Sequence, residues 1–195
     1  MAKVVNITTS NNIFQFKIQL KNITPAIYRN ILVPESATFL QLHEIIQYTM
    51  GWDNYHLFQF VIDRNRFIGI PSKEFDFGEV YDAKKIKLKD FFNPLNKKIL
   101  YEYDFGDSWE HTVTLRKVME NEKNINYAIC LKGQRNCPPE DCGGLWGYEM
   151  FLAAITDKKN PEHNQMLEWV GGEFDPEEFD LEQVNGLIKQ IKIKI

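Results

Sequence analysis

The sequence predicts an α+β domain with a largely antiparallel sheet and helices packed mainly on one side. Three observations carry this expectation. Period-two apolar alternation dominates the first two thirds of the chain, helical spacing dominates residues 148–188, and no strand–helix–strand alternation links them. The chain has 195 residues, 44% hydrophobic and 13% aromatic, which is enough apolar material for one core. A single domain over 12–195 is expected, preceded by a disordered or frayed polar tail at 1–11.

The elements follow in order. Phe14, Phe16, Ile18 and Leu20 alternate with Gln15, Lys17, Gln19 and Lys21, the pattern of a strand with one wet face. Asn22 to Pro25 turns the chain, and Ile27 to Val33 is a second strand ended by Pro34. Thr38-x-x-Gln41 is a capping box, Leu42, Ile45, Ile46 and Met50 share a helical face, and Gly51 stops that helix. His56 to Ile62 and Arg66 to Ile70 form two strands around Asp63-Arg64-Asn65. Residues 71–97 are weakly patterned: loop, a brief strand near Ile86-Lys87-Leu88, and a helical turn at Asp90 to Asn93. Residues 99–103 and 109–116 alternate around Phe105-Gly106-Asp107-Ser108 and read as a hairpin. A polar connection over 119–129 leads into a Cys/Gly/Pro-dense loop at 130–147. The remainder is helical: Tyr148 to Ile155, a helix after Asn160-Pro161 ended by Gly171-Gly172, a short piece after Asp175-Pro176, and a last helix from Asp180. Trp169 falls on the apolar face of its helix, a core position.

Bulk chemistry excludes several classes. Net charge is −4 with pI near 5.6, and only five basic residues are Arg, so nothing favours nucleic acid as partner. There is no signal-like apolar run at the N-terminus and no stretch of about 18 apolar residues, so a membrane association is not expected. Three cysteines without a secretion signal suggest reduced thiols or metal ligands in the cytoplasm. Walker, G-x-S-x-G, Rossmann and H-E-x-x-H motifs are absent.

Two segments concentrate chemistry. Tyr101 to His111 holds Glu102, Asp104, Asp107, Glu110 and His111 among four aromatics including Trp109. An even-numbered hairpin loop would pair residue 104 with 109 and 102 with 111, placing Glu102 opposite His111, where a carboxylate could fix an imidazole tautomer. The bland alternative is a hairpin with one wet face. The second segment is Cys130 to Gly144. Its Cys-x6-Cys-x4-Cys spacing is not that of a zinc knuckle, although His111, Cys137 and Cys142 are candidate metal ligands. Free thiols are the competing reading. Glu140-Asp141, between Pro-Pro and Gly-Gly, sits on a loop of fixed shape suited either to binding or to capping the next helix. The acids from Glu173 to Glu182 read as helix starts. Trp52 and His56, just past a helix end, could wall a pocket or simply pack.

At these residues the chain resembles a known family. Ile27-Tyr28-Arg29, Leu42 to Gln47, Met50-Gly51-Trp52-Asp53, His56-Leu57, Tyr101 to His111, Cys137 to Gly144 and Phe174-Asp175-Pro176-Glu177 are similar, in order, to the plasmid pRiA4b ORF-three-like proteins. The resemblance covers about Ile13 to Leu187. It implies an α+β domain of a family treated as uncharacterised, and it adds weight to Asp104, Asp107, Trp109, Glu110, His111, Glu140 and Asp141 as functional.

Two expectations follow. In the first, the hairpin acids and His111 converge with Glu140-Asp141 on a small ligand or a divalent cation, with metal-assisted catalysis open to such a site. In the second, the chain is an interaction module of plasmid or mobile-element biology, for a protein in the first place and nucleic acid only in the second, presenting Trp52, Tyr103 and Trp109 as an exposed aromatic patch.

Overall fold

The computed structural model describes residues 11–72 and 78–195. Eight strands, β1 (Asn12–Leu20), β2 (Tyr28–Pro34), β3 (Phe58–Val61), β4 (Arg66–Gly69), β5 (Glu79–Asp82), β6 (Lys98–Tyr103), β7 (Trp109–Glu120) and β8 (Ile129–Gln134), form one sheet in the order β5-β4-β3-β6-β7-β1-β2-β8. Among the described residues only the edge pair β4–β5 is parallel. The helices are α1 (Phe39–Met50), α2 (Leu88–Phe91), α3 (Gly144–Thr156), α4 (His163–Trp169) and α5 (Leu181–Ile188). This is a single α+β domain. The expected tail lies outside the described residues except for Asn11, whose carbonyl accepts the Asn121 N–H at 2.9 Å.

The alternation in β1 explains its place. Phe14, Phe16, Ile18 and Leu20 are buried while Gln15, Lys17 and Gln19 are half-buried on the other face. Each buried Phe or Ile contributes roughly 1.5–3 kcal/mol, so flipping the strand would forfeit several such contributions at once. The capping box of α1 forms as expected. Thr38 Oγ1 accepts from Gln41 N at 3.2 Å, and Gln41 Oε1 accepts from Thr38 N at 2.9 Å. Gly51 closes the helix with φ of 89°, its N–H on the Gln47 carbonyl.

Several expectations are corrected. Ile86 to Leu88 is no strand: Thr38 and Lys87 make one isolated bridge, and Leu88 already begins α2. The strand of this region is β5, which β4 recruits as an edge. The polar connection after residue 119 is partly strand, because β7 continues to Glu120 opposite Asn12. The Cys-dense loop opens as β8, whose ladder is completed by β2, a partner its own pattern does not reveal. Asp175-Pro176 begins a turn rather than a helix, with Asp175 Oδ1 taking the Glu177 N–H at 2.9 Å. Trp169 is 46% exposed rather than a core residue, and its ring meets buried Phe151 edge-to-face at 5.8 Å between centroids.

The register of the β6–β7 hairpin is the correction that matters for function. Tyr101 faces His111, Glu102 faces Glu110 and Tyr103 faces Trp109. The connecting segment, 104–108, has an odd number of residues, with Asp104 and Ser108 both left-handed (φ 55° and 54°). One residue of slip exchanges the faces of a strand. Tyr101, Tyr103, Trp109 and His111 are therefore buried, and Glu102 and Glu110 point the other way. The aromatic rings win the inner face because they bury far more apolar area than carboxylates could without stranding a charge.

Candidate functional site

Three segments distant in sequence meet beside the open end of β6. His56 comes from the connection between α1 and β3, Asp104 from the residue after β6, and Asp141 from the Pro138 to Gly143 loop before α3. One donor atom from each lies within 4.8 Å of the others. His56 Nδ1 is 3.7 Å from Asp104 Oδ1, and His56 Nε2 is 3.1 Å from Asp141 Oδ1. The second contact is close but out of line, so Nε2 has no aligned hydrogen-bond partner although it is shielded from solvent. Asn54, Asp104 and Asp141 all have left-handed backbone, φ 62°, 55° and 59°. Asn and Asp tolerate this conformation better than other side chains.

The loops are clamped together by specific bonds. The Tyr103 hydroxyl donates a very short hydrogen bond to Glu140 Oε1 and accepts the N–H groups of Tyr55 and His56 at 3.1 and 3.4 Å. Burial first, and the bond to Glu140 second, push the Tyr103 phenol well above its ordinary value, so it remains a donor. Glu140 Oε2 takes the Asp53 N–H at 2.7 Å, and Trp52 Nε1 donates to the Pro138 carbonyl at 2.9 Å. Trp52 also stacks on Tyr103 at 5.1 Å. On the hairpin side, Asp107 Oδ2 accepts the Gly143 N–H at 3.1 Å. Gly144, at φ 67°, sits so close that a Cβ would stand 2.6 Å from the Asp107 carbonyl oxygen. The Pro-Pro and Gly-Gly that flank Glu140-Asp141 thus allow the loop to press against the hairpin.

Behind His56 runs a directed relay. Gln47 Nε2 donates to the Tyr101 hydroxyl at 2.9 Å, Tyr101 meets His43 Nδ1 at 2.8 Å, and His43 Nε2 meets Asn54 Oδ1 at 2.8 Å. Because the Asn54 carbonyl oxygen only accepts, His43 carries its proton on Nε2 and takes the Tyr101 proton on Nδ1. Burial lowers His43 to about 4, with the Asn54 bond opposing, so the ring is neutral at pH 7. The Asn54 NH2 is left with no partner among the described residues. His43 and Asn54 are not among the residues the sequence singles out. A histidine on the apolar face of Leu42, Ile45, Ile46 and Met50 was the available signal.

His56 and Asn54 also line a cavity of about 490 Å³ whose other walls are mostly apolar, among them Leu40, Leu57, Phe58, Phe67, Val80 and Phe105. That volume is within the range of small-molecule sites.

Other predicted residues lie elsewhere. Glu102 takes hydrogen bonds from Gln59 Nε2 and Ser108 Oγ on the outer face, and Glu110 pairs with Lys21 at 2.6 Å. His111 is not on the acidic face at all. It is fully buried, edge-on to Trp52 at 5.4 Å, and donates from Nδ1 to the Trp109 carbonyl at 3.0 Å. Burial lowers it to about 3, the nearby Arg29 adding in the same direction. Cys137 is buried against Met50 Sδ (3.0 Å) and Arg29 Nη2 (3.5 Å). His111, Cys137 and Cys142 therefore do not form the ligand group: among the described residues, the set that could hold an ion is His56, Asp104 and Asp141. Burial raises all three thiols, Cys130 and Cys137 to about 11 and Cys142 to about 12, which keeps them protonated.

Fold and site together define a mixed α+β domain that gathers one imidazole and two carboxylates at the end of a mostly antiparallel sheet. The chain belongs to the plasmid pRiA4b ORF-3-like protein family, whose profile matches residues 12–183. It is 31% identical over 185 residues to the uncharacterised protein y4hQ of Sinorhizobium fredii, covering 94% of each chain. It is also similar to the crystal structure of a protein of unknown function from Methanosarcina mazei Go1, with a TM-score of 0.81 and 40% identity over 89% of this chain and 98% of that one. Among the described residues no helix is long and apolar enough to cross a membrane.

Proposed function

We propose that this chain binds a divalent metal ion through His56, Asp104 and Asp141, and that the ion serves the adjoining small-ligand pocket. The observation that carries this reading is the convergence of three donor atoms within 4.8 Å, from three loops that are otherwise clamped in place. His56 Nε2, shielded and without an aligned partner, supplies a lone pair or proton that the protein itself leaves unused. One imidazole nitrogen with two carboxylate oxygens suits Mn²⁺ or Zn²⁺ and leaves coordination positions for water or ligand. An ion so placed could polarise a ligand carbonyl or activate a water. The interaction-module reading loses its named patch, because Trp52, Tyr103 and Trp109 are each less than 5% exposed.

Calorimetric titration of the full chain with Mn²⁺ and with Zn²⁺, paired with elemental analysis, tests this. One ion per chain is expected. His56→Ala and Asp104→Asn should each weaken binding at least tenfold, and His111→Ala should leave the stoichiometry unchanged. A chain that takes up neither ion, or binds them equally well without His56 and Asp104, refutes the proposal.

A further inference from the structure

We infer that the pocket beside His56 takes a small molecule with an apolar body and a carboxylate head, the head held by the bound metal and the Asn54 amide. This rests on the metal-binding reading above and adds to it the class of ligand. The apolar lining, with Phe58, Phe67 and Val80, offers no charge to match a polar body. At its rim Leu57, Ile70 and Phe105 are 52%, 44% and 39% exposed, large apolar side chains held in water beside a cavity they could help fill with a ligand. The polar lining is His43, Asn54, His56, Gln59 and Ser72; of these, His56 is itself one of the three converging donors, and Asn54 is two residues from it.

The orientation of Asn54 supplies the second donor. Its carbonyl oxygen is committed to His43 Nε2, and that commitment is fixed in turn through Tyr101 and Gln47. The NH2 is consequently the end that remains for a ligand, and it seeks an acceptor oxygen. Without metal, Asp104 and Asp141 repel an anionic head. With a divalent ion their two charges are neutralised and an open coordination position attracts the carboxylate. Binding of an apolar carboxylate should therefore depend on the ion, whereas a matched alcohol loses the charge that makes this so. A larger groove of about 730 Å³ lies between α1 and α5, but its walls, including Gln41, Glu44, Gln183 and Lys192, have no comparable apolar lining.

The test uses 3-phenylpropionate, with 3-phenylpropanol as the uncharged comparison, on the full chain saturated with Mn²⁺ and on the same chain in EDTA. Saturation is first verified by titration, so failure to take up Mn²⁺ refutes the metal reading separately. In the Mn²⁺-loaded protein the carboxylate should bind at least tenfold more tightly than in EDTA, and the alcohol should show no such gain. Paramagnetic broadening should be greater at the CH2 beside the carboxylate than at the ring protons. Asn54→Ala should weaken the carboxylate several-fold. Val80→Trp, in the apolar lining and outside the ligand group, should abolish ligand binding while Mn²⁺ uptake is unchanged. Loaded protein that ignores 3-phenylpropionate, binds it equally in EDTA, or broadens its ring protons most, overturns the inference.

Discussion

Replacing His111 by phenylalanine should make the chain less sensitive to acid, and the size of the effect follows from the structure. His111 is held neutral by burial, its value near 3 against an ordinary 6.5. The unfolded chain takes up a proton at this residue as pH falls through 6.5, and the folded chain refuses it until about 3. The unfolded state thus binds more protons throughout that window. Stability due to His111 is fully present above pH 6.5 and is lost as pH falls towards 3. Between pH 7.5 and 5.5 the loss amounts to about 1.4 kcal/mol, and His43, lowered to about 4, adds a similar loss over the same interval. Phenylalanine keeps the ring contacts with Trp52 and Tyr101, at 5.4 and 5.3 Å. It gives up the bond to the Trp109 carbonyl but also removes the unpartnered Nε2, so the net cost at pH 7.5 should be within about 1 kcal/mol. Urea unfolding followed by tryptophan fluorescence at both pH values measures this. With a slope of about 2 kcal/mol/M, the acid shift of the midpoint should shrink by roughly 0.7 M in the variant. An equal acid shift in wild type and His111→Phe would refute the reasoning.

Other outcomes follow from the same geometry. Gly144→Ala should destabilise the chain by roughly 1–3 kcal/mol, since it adds a Cβ to a left-handed residue 2.6 Å from the Asp107 carbonyl oxygen; thermal melting reads the effect. Tyr103→Phe removes the hydroxyl that ties Glu140 to Tyr55 and His56, and should weaken Mn²⁺ or Zn²⁺ binding in calorimetry although Tyr103 is no ligand itself. The three cysteines, protonated and buried or half-buried, should react with a thiol reagent at pH 7 far more slowly in native protein than in urea. Rapid native labelling would refute this protection.

Features that depend on local pattern are legible in the chain's residues alone. The alternation in Phe14 to Leu20 selected a strand and its buried face, and Thr38, Gln41 and Gly51 set both ends of α1, because caps and periodicity act over a few residues. The sequence also marked Asp104, Asp141 and His56 as candidates through their company of aromatics, prolines and glycines. Tertiary structure decided the rest. The hairpin register rested on which side chains the core would accept, and the core took Tyr101, Tyr103, Trp109 and His111, turning Glu102 and Glu110 outward. That choice removed His111 from the acids it neighbours in sequence. His56 instead came to Asp104 across a strand pair, and Asp141 came from a loop 37 residues beyond Asp104. Such meetings depend on long-range pairing and on the close approach of Gly144 to Asp107, neither of which has a local signature.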